Sequence, residues 1–285
     1  MDIQIIAVPY DTARRADGMG AGPEHWLARG LADHLTESQH TVQVTVIEDD
    51  DPRPAEIKTA FTLNRQLAAH VASRETRFPL VLAGNCNTAL GTLSGLEAAS
   101  DTAVIWFDAH GDFNTPDTSG SGFFDGMGLT IVAGLTWQRL AATIPGFSPT
   151  PGHNIIHVGG RAFDSGEREA LLDAGAAVVD AASLHRDGIA PLETALSALP
   201  SHVTRAYIHL DLDVLDPDAG LQANRFPEPN GLSIEQVQNA IRAITSRLTP
   251  AALAITAYDP GFDPDDHVLN AGLSLIRTSL ETHTE

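Results

Sequence analysis

Short apolar runs alternate along the chain with longer stretches in which apolar residues recur at helical spacing. The runs predict eight strands, at residues 3–8, 42–47, 79–83, 103–107, 154–158, 176–179, 205–210 and 252–256. Several of the runs are nearly continuous in Val, Ile, Leu and Ala, as is typical of strands covered on both faces in a parallel sheet.

Helical patterns lie between these runs. Apolar residues at helical spacing predict a helix across residues 57–71. Ser233 and Gln236 form a capping-box pattern that predicts the start of another helix at Ile234. Neither a sequence repeat nor a linker-like tract divides the chain. We therefore expect one α/β domain over residues 1–285, with three αβα layers around a mostly parallel, eight-stranded sheet.

Charge and cysteine content exclude several classes of function. The chain has 37 acidic and 17 basic residues, which argues against binding nucleic acid or an anionic membrane surface. Cys86 is the only cysteine, so an internal disulfide and a zinc site made of cysteines alone are excluded. The sequence shows neither an apolar run of transmembrane length nor a basic, signal-like start, and we expect a cytoplasmic protein.

Two acidic segments follow predicted strands. Asp108, His110 and Asp112 come after the strand at 103–107, and Asp211 and Asp213 come after the strand at 205–210. Ligand sites of parallel sheets lie beyond the carboxyl ends of the strands. In extended backbone, residues two apart point to the same side. We therefore expect the first three side chains to converge on one side and the other two on another.

Carboxylate oxygens with one imidazole suit Mn²⁺, Mg²⁺ or Zn²⁺ bound without thiolates. Five such groups could hold one ion, or two ions about 3.5–4 Å apart in a hydrolytic site. The alternative for either segment by itself is a turn or a helix cap. The presence of both segments favours a metal centre, and the sequence predicts a metal-dependent hydrolase.

Longer motifs around these residues resemble those of the ureohydrolases, the family of arginase, agmatinase and their relatives. The N-terminal segment reads VPY at 8–10 and GMGAGP at 18–23. The central motif is WFDAHGDFNTP at 106–116, and the second is HLDLDVLDP at 209–217. The resemblance covers essentially the whole chain, and the two long motifs are specific.

The resemblance implies an arginase-like fold and two Mn²⁺ ions whose bound hydroxide attacks a guanidino or amidino carbon. Carried over by position, Asp108 and Asp211 would bridge the two ions. His110 and Asp213 would complete one site, and Asp112 would belong to the other. The resemblance also implies a small-molecule substrate and a homo-oligomer.

Cys86 stands where the family has a histidine ligand of the first metal, in the segment GNCNTALG at 84–91. A thiolate is a soft ligand that matches Mn²⁺ poorly. The first site would then be weak, empty or selective for Zn²⁺ or Fe²⁺. A cysteine here is also similar to relatives that act on N-hydroxyarginine. The alternative is a small buried residue that binds no metal.

The catalytic positions also depart from the family pattern. Asp125 stands where arginases have a proton-shuttling histidine, and it is either an acid–base group or a plain loop aspartate. His209, two residues before Asp211, could act as the shuttle or could hydrogen-bond to the metal ligands.

Ala257 stands where the family has the glutamate that binds the guanidinium group. Without this carboxylate, either the substrate is less cationic or another acid, such as Asp259, replaces it. Tyr258 could pack against a planar group of the substrate or simply belong to the core.

Three residues match positions that arginases use for the α-amino acid end of the substrate. Asn114 and Ser121 would contact the carboxylate and Asp164 the ammonium group. Alternatively, the first two order a polar loop and Asp164 caps a helix. The sequence thus predicts an amidinohydrolase acting on linear C–N bonds of an arginine-like amino acid, such as arginine or N-hydroxyarginine. The alternatives are a non-catalytic, metal-binding homologue and a hydrolase of another amidine or formimino substrate.

Overall fold

A parallel eight-stranded sheet forms the centre of the protein. The computed structural model describes residues 1–49, 54–74, 77–96 and 99–281. The strands are β1 (Asp2–Val8), β4 (Thr41–Val46), β5 (Phe78–Ala83), β6 (Thr102–Phe107), β7 (Ile155–Val158), β8 (Ala177–Val179), β9 (Arg205–Asp211) and β10 (Thr249–Thr256). Their order is β4-β1-β5-β10-β9-β6-β7-β8. The eight predicted strands are thus confirmed, with bounds that differ by up to three residues.

Helices cover both faces of this sheet. They are α1 (Gly22–Ala28), α2 (Leu31–Glu37), α3 (Glu56–Ala72), α4 (Ala89–Gly95), α5 (Gly128–Val132), α6 (Gln138–Ala141), α7 (Glu167–Asp173), α8 (Ala181–Asp187), α9 (Ala190–Ala198), α10 (Ile234–Thr245) and α11 (His267–Leu280). One apolar cluster joins one face to α1, α2 and α8 to α11. Another joins the opposite face to α3, α4, α5 and α7. The prediction of a three-layer α/β fold is confirmed.

Local sequence signals account for both predicted helices. The apolar residues at helical spacing lie in α3, where Leu67 and Val71 pack against the sheet. The others, Ile57, Phe61 and Ala68, pack in a separate apolar cluster with residues of α4, α5 and α6. At the start of α10, the Ser233 hydroxyl accepts a hydrogen bond from the Gln236 amide, and the Gln236 side chain accepts one from the Ser233 amide. This capping box satisfies amide groups that have no partner inside the helix.

Two details differ from the expectation. The edge strand β4 is largely solvent-exposed, with Val44 45% exposed, because only β1 pairs with it. A short antiparallel hairpin, β2 (Tyr10–Asp11) with β3 (Arg14–Arg15), was not predicted. Strands of two residues are too short to give a periodic pattern.

The sheet order brings distant segments of the chain together. β5, β10, β9 and β6 are neighbours, and Thr256 at the end of β10 lies opposite Asp211 at the end of β9. Gly84 follows β5 where a Cβ would lie 2.2 Å from the carbonyl oxygen of Tyr10, so only glycine fits there. None of the helices in the described ranges is long and apolar enough to span a membrane.

Candidate metal centre

A cavity of about 280 Å³ opens at the carboxyl ends of the central strands. All six residues predicted as metal ligands line it: Cys86, Asp108, His110, Asp112, Asp211 and Asp213. No lysine or arginine belongs to the described residues around the cavity. The cavity wall is therefore strongly acidic.

The potential ligand atoms form two groups that share one residue. Atoms of Cys86, Asp108 and Asp112 lie within 4.8 Å of one another, and so do atoms of Asp108, His110 and Asp213. Asp211 adjoins the first group, because its Oδ2 lies 3.0 Å from the Cys86 sulfur. The arrangement offers two neighbouring positions for a cation, with Asp108 between them.

The sequence predicts that extended backbone brings these side chains together. In the structure, turns do so instead. Asp112 has a φ of 48°, in the left-handed region. Asp213 lies in a 3-10 turn, Leu212–Val214, that begins at once after β9. The Asp211 carboxylate accepts the amide of Asp213 at 2.9 Å and fixes this turn. Turns, rather than alternation along a strand, therefore bring these carboxylates to the cavity.

The carboxylates repel one another in the absence of a cation. Burial and the neighbouring carboxylates raise the pKa values of Asp112 and Asp211 well above the ordinary value. Burial alone would lower the pKa of His110, but the charge of Asp213 and hydrogen bonds to Asp108 and Asp213 raise it to about 12. Burial alone would raise the pKa of Asp213, but the charged His110 lowers it to about 2. A site that holds positive charge so firmly fits divalent cations.

Cys86 is buried beside two potential partners. Its sulfur donates to Asp211 Oδ2 at 3.0 Å and lies 3.2 Å from Thr256 Oγ1. Burial and the charge of Asp211 raise the pKa of the thiol well above its usual value. The thiol is therefore neutral without a metal, and a bound cation would have to displace its proton. The donor set of the second group suits Mn²⁺, whereas the thiol makes the first group softer.

Two buried aromatic side chains support the ligands from below the cavity. The Trp106 indole donates to Asp108 Oδ2 at 3.0 Å. His157 Nε2 lies 2.6 Å from the carbonyl oxygen of His110, so this nitrogen must carry the hydrogen and donate. Such contacts fix the orientation of metal ligands.

Asp125 lines the cavity, but both of its oxygens accept hydrogen bonds. The donors are the amides of Cys86 and Asn87 and the side chains of Asn85 and Asn87, at 2.8–3.0 Å. Burial raises the pKa of Asp125 to about 6, although these hydrogen bonds by themselves would lower it. This network places Asp125 as a support for the Cys86 segment.

His209 does not reach the cavity. Its ring is fully buried, stacks on Trp106 at 3.6 Å between centroids, and lies 2.9 Å from the Tyr207 hydroxyl and 3.3 Å from Thr256 Oγ1. Burial and the neighbouring His157 lower the pKa of His209 to about 3. The structure therefore does not place His209 as a proton shuttle. It lies among the residues that pack beneath Asp108.

The residues predicted for the amino acid end of a substrate all belong to the cavity lining. They are Asn114, Ser121 and Asp164, and Asn114 Nδ2 donates to Asp164 Oδ2 at 2.9 Å. Asp164 does not cap the following helix, which has Gly166 at its cap position and no side-chain cap. Glu167, which the sequence reasoning missed, accepts from the Phe113 amide and from Asn114 at 2.9 and 3.1 Å.

The residues after β10 do not take the substrate-binding role that the sequence predicts for Tyr258 and Asp259. Ala257 lines the cavity, but Tyr258 and Asp259 do not. The Tyr258 hydroxyl donates to Asp263 at 3.0 Å and its ring packs against Trp26, so Tyr258 belongs to the core. Asp259 caps a short turn by accepting the Gly261 amide at 2.8 Å. Neither residue replaces the absent glutamate of the family pattern.

The loop at residues 222–230 also contributes to the cavity, and no sequence pattern indicated this. Asn224, Phe226 and Glu228 line it. Asn224 Nδ2 lies 3.3 Å from Asp213 Oδ2 and donates to the Ala257 carbonyl at 3.0 Å. Arg161 ties this loop to the Asp213 turn, since its guanidinium donates to the carbonyls of Asp213 and Glu228 at 2.8 and 2.9 Å.

Comparisons with known proteins agree with this architecture. The family model described as "Arginase family" matches residues 1–280. The arginase of Bacillus caldovelox is 32% identical over 290 residues, which cover 96% of each protein. The arginase of Bacillus subtilis is 32% identical over 228 residues, or 76% of each protein. Among solved structures, arginase from Bacillus cereus superposes with a TM-score of 0.87 at 26% identity over the full length of both chains.

Proposed function

Because this chain belongs to the arginase family, whose members are hydrolases acting on amidino C–N bonds, we propose that it hydrolyses the guanidino group of an arginine-like α-amino acid. The observation that carries this proposal is the shared cavity. The two ligand groups line it, and Asn114, Ser121 and Asp164 line the same cavity. One substrate could thus contact both sets of groups.

The amino acid end of the substrate would bind at Asp164. This carboxylate is exposed at the cavity wall, where it could form a charge-assisted hydrogen bond to an ammonium group. The Ser121 hydroxyl also lines the cavity and is available to a substrate carboxylate. Asn114 already donates to Asp164 and Glu167, so it would orient the Asp164 carboxylate for the ammonium group. An amine without a carboxylate would use only part of this wall.

The guanidino end of the substrate would contact a surface that lacks the glutamate of the family pattern. Ala257 and Met19 line the cavity here, and Asp259 is engaged elsewhere. Without a dedicated carboxylate, a strongly basic guanidinium loses a charge-assisted partner. N-hydroxylation lowers the basicity of a guanidine, because oxygen withdraws electron density. This supports N-hydroxyarginine over arginine as the preferred substrate.

The residues present fit a two-ion centre. Cys86, Asp108, Asp112 and Asp211 would hold one ion, and His110 and Asp213 would hold the second together with the shared Asp108 and Asp211. Mn²⁺ suits the second position, while Zn²⁺ or Fe²⁺ suits the first because of Cys86. When bound, these ions supply a water of lowered pKa and a Lewis acid for the reacting carbon.

Within this centre the protein holds the ligands in place and orients the substrate. Trp106 and the Asp213 amide restrain Asp108 and Asp211, respectively. Asp125 anchors the backbone at Cys86. A homo-oligomer, a cytoplasmic location and a single domain over residues 1–285 stay predictions from the sequence.

A substrate panel tests the proposal. Purified protein loaded with Mn²⁺ should release hydroxyurea from N-hydroxyarginine faster than urea from arginine, and it should process agmatine poorly. Asp211→Asn serves as the inactive control. Efficient turnover of agmatine would contradict amino acid recognition. Turnover of a formimino amino acid alone would assign a different amidine substrate. No turnover of any amidine by protein loaded with Mn²⁺, Zn²⁺ or Fe²⁺ would refute the proposal.

A further inference from the structure

Asp11, in the short hairpin that follows β1, carries a buried carboxylate with an incomplete set of partners. Its side chain is fully buried, and Oδ2 accepts no hydrogen bond from the described part of the chain. Gly18 leaves the room for this oxygen, since a Cβ there would lie 2.8 Å from it. The other oxygen, Oδ1, accepts only a long hydrogen bond from Asn85 Nδ2 at 3.5 Å. A buried carboxylate so weakly hydrogen-bonded is costly unless an opposite charge lies close to it.

Two arginines face this carboxylate. Arg225 Nη1 lies 3.7 Å from Asp11 Oδ2, and Arg14 Nη2 lies 3.9 Å from it. Arg14 makes a shorter ion pair with Asp17, at 2.8 Å, where both side chains are 57% exposed. Arg225 is therefore the closer counter-ion of Asp11, and it comes from the loop at residues 222–230.

Arg225 connects this buried charge to the cavity wall. Its guanidinium carbon lies 4.9 Å from the centroid of the Phe226 ring, in a cation–π contact. The Phe226 ring lines the cavity, 6.4 Å from the His110 ring and 5.7 Å from the Phe123 ring. A continuous set of contacts thus leads from Asp11 to the aromatic surface beside a potential metal ligand.

Hydrogen bonds anchor the loop on either side of Phe226, whereas among the residues that the structure describes the ring itself is held only by the two ring contacts and the Arg225 contact given above. Asn224 donates to Ala257 on one side, and Arg161 donates to Glu228 on the other. The Phe226 amide donates to Asn224 Oδ1 at 2.8 Å, while the residue remains 37% exposed. The position of the ring therefore depends on what stacks against it, and Arg225 is the charged group that does so.

We propose that Asp11 is a positioning residue that, through Arg225, holds Phe226 as an aromatic wall of the cavity. The wall selects substrates in which an unbranched aliphatic chain carries the amidine, because the methylenes of such a chain can pack against the Phe226 and Phe123 rings. The selection of substrate rests on the proposed function, whereas the restraint on the loop does not.

Hydrogen exchange tests the restraint without any substrate. Backbone exchange across residues 222–230 is compared in the full-length, Mn²⁺-loaded protein and in Asp11→Asn, Arg225→Gln and Arg14→Gln. The first two variants should exchange this segment roughly three- to tenfold faster, the range expected for loss of a cation–π contact. Arg14→Gln is the matched control, because it removes an ion pair to Asp11 without touching Phe226.

The exposed position of Arg225 keeps this test valid if Asp11→Asn fails to fold. Arg225→Lys refines it, since lysine keeps the charge but lacks the planar face that stacks on the ring. We expect this variant to exchange faster than wild type and slower than Arg225→Gln. Exchange in Arg225→Gln equal to that in Arg14→Gln would overturn the proposal.

Kinetics test the selection of substrate. Asp11→Asn and Arg225→Gln should raise KM for the amino acid substrate roughly three- to tenfold, with kcat nearly unchanged. Phe226→Ala should raise KM as well, and adding Asp11→Asn to it should have no further effect. An unchanged KM in variants with faster exchange would overturn the selective role. A wild-type protein without turnover would refute the proposed function, while the exchange measurement would still decide the restraint.

Discussion

The sulfur of Cys86 lies 3.0 Å from Oδ2 of Asp211, and the two residues stand 125 positions apart in the chain. This contact places the thiol directly beside a carboxylate that the family pattern assigns to both metal ions. Because burial and Asp211 keep the thiol protonated, the first ion must release a proton from sulfur before this ligand can bind.

Replacement of Cys86 by histidine should therefore strengthen the first site. We expect Cys86→His to raise the affinity for Mn²⁺ roughly tenfold or more, because a neutral imidazole binds without losing a proton. Calorimetric titration and the metal content per chain measure this change. Cys86→Ser controls for loss of the thiol, and equal Mn²⁺ binding in wild type, Cys86→His and Cys86→Ser would show that position 86 binds no metal.

Asp108 and Asp213 should differ in how many ions depend on them. Asp108 belongs to both ligand groups, whereas Asp213 belongs to one. Asp108→Asn should lose both ions and Asp213→Asn one. We also expect Asp108→Asn to lower kcat at least a hundredfold, which is roughly the upper end of the effect of residues that merely support metal ligands. Elemental analysis of the purified variants counts the ions. Identical metal content in both variants would contradict two positions that share Asp108.

Removal of metal should destabilise the protein. Burial, and after it the charges of neighbouring carboxylates, raises the pKa values of Asp112 and Asp211, and a divalent ion would stabilise these buried carboxylates in their charged form. At a free Mn²⁺ concentration about a hundredfold above its Kd, binding should contribute about 2.7 kcal/mol. Thermal unfolding before and after chelation measures this difference. Asp108→Asn should not respond to chelation, and a wild-type Tm that also fails to respond would argue against a structural contribution of metal.

Restoring a carboxylate at position 257 should shift the substrate preference. Ala257 lines the cavity where the family pattern has glutamate. Ala257→Glu should lower KM for arginine relative to N-hydroxyarginine by about tenfold, because the added carboxylate pairs with the more basic guanidinium. Ala257→Gln is the control of equal size. A similar shift in both variants would mean that shape, and not charge, is responsible.

Asp125 should matter for stability more than for proton transfer. Four donors converge on its two oxygens, and an asparagine would offer one oxygen and place an amide group against the remaining donors. We expect Asp125→Asn to lower the free energy of unfolding by about 2–3 kcal/mol. Urea denaturation of the metal-free protein measures the loss. A variant of normal stability with a specific loss of kcat would instead identify Asp125 as the acid–base group.

The periodic pattern of the sequence was sufficient to predict the strands and the layers. Continuous apolar runs indicated strands inside a parallel sheet, because such strands are buried on both faces. The acidic residues directly after two of these strands indicated a metal centre, because ligand sites of parallel sheets lie beyond the carboxyl ends of the strands. These inferences depend only on which residues stand next to one another.

The tertiary structure decided how the site is completed. The order β5-β10-β9-β6 brings Cys86 to Asp211, and a left-handed residue at Asp112 and a tight turn at Asp213 direct their carboxylates to the cavity. The same packing turned the His209 ring into the core and paired Asp11 with Arg225. Strand order and loop conformation are set by contacts between residues far apart in the chain, and no local pattern records which of those contacts will form.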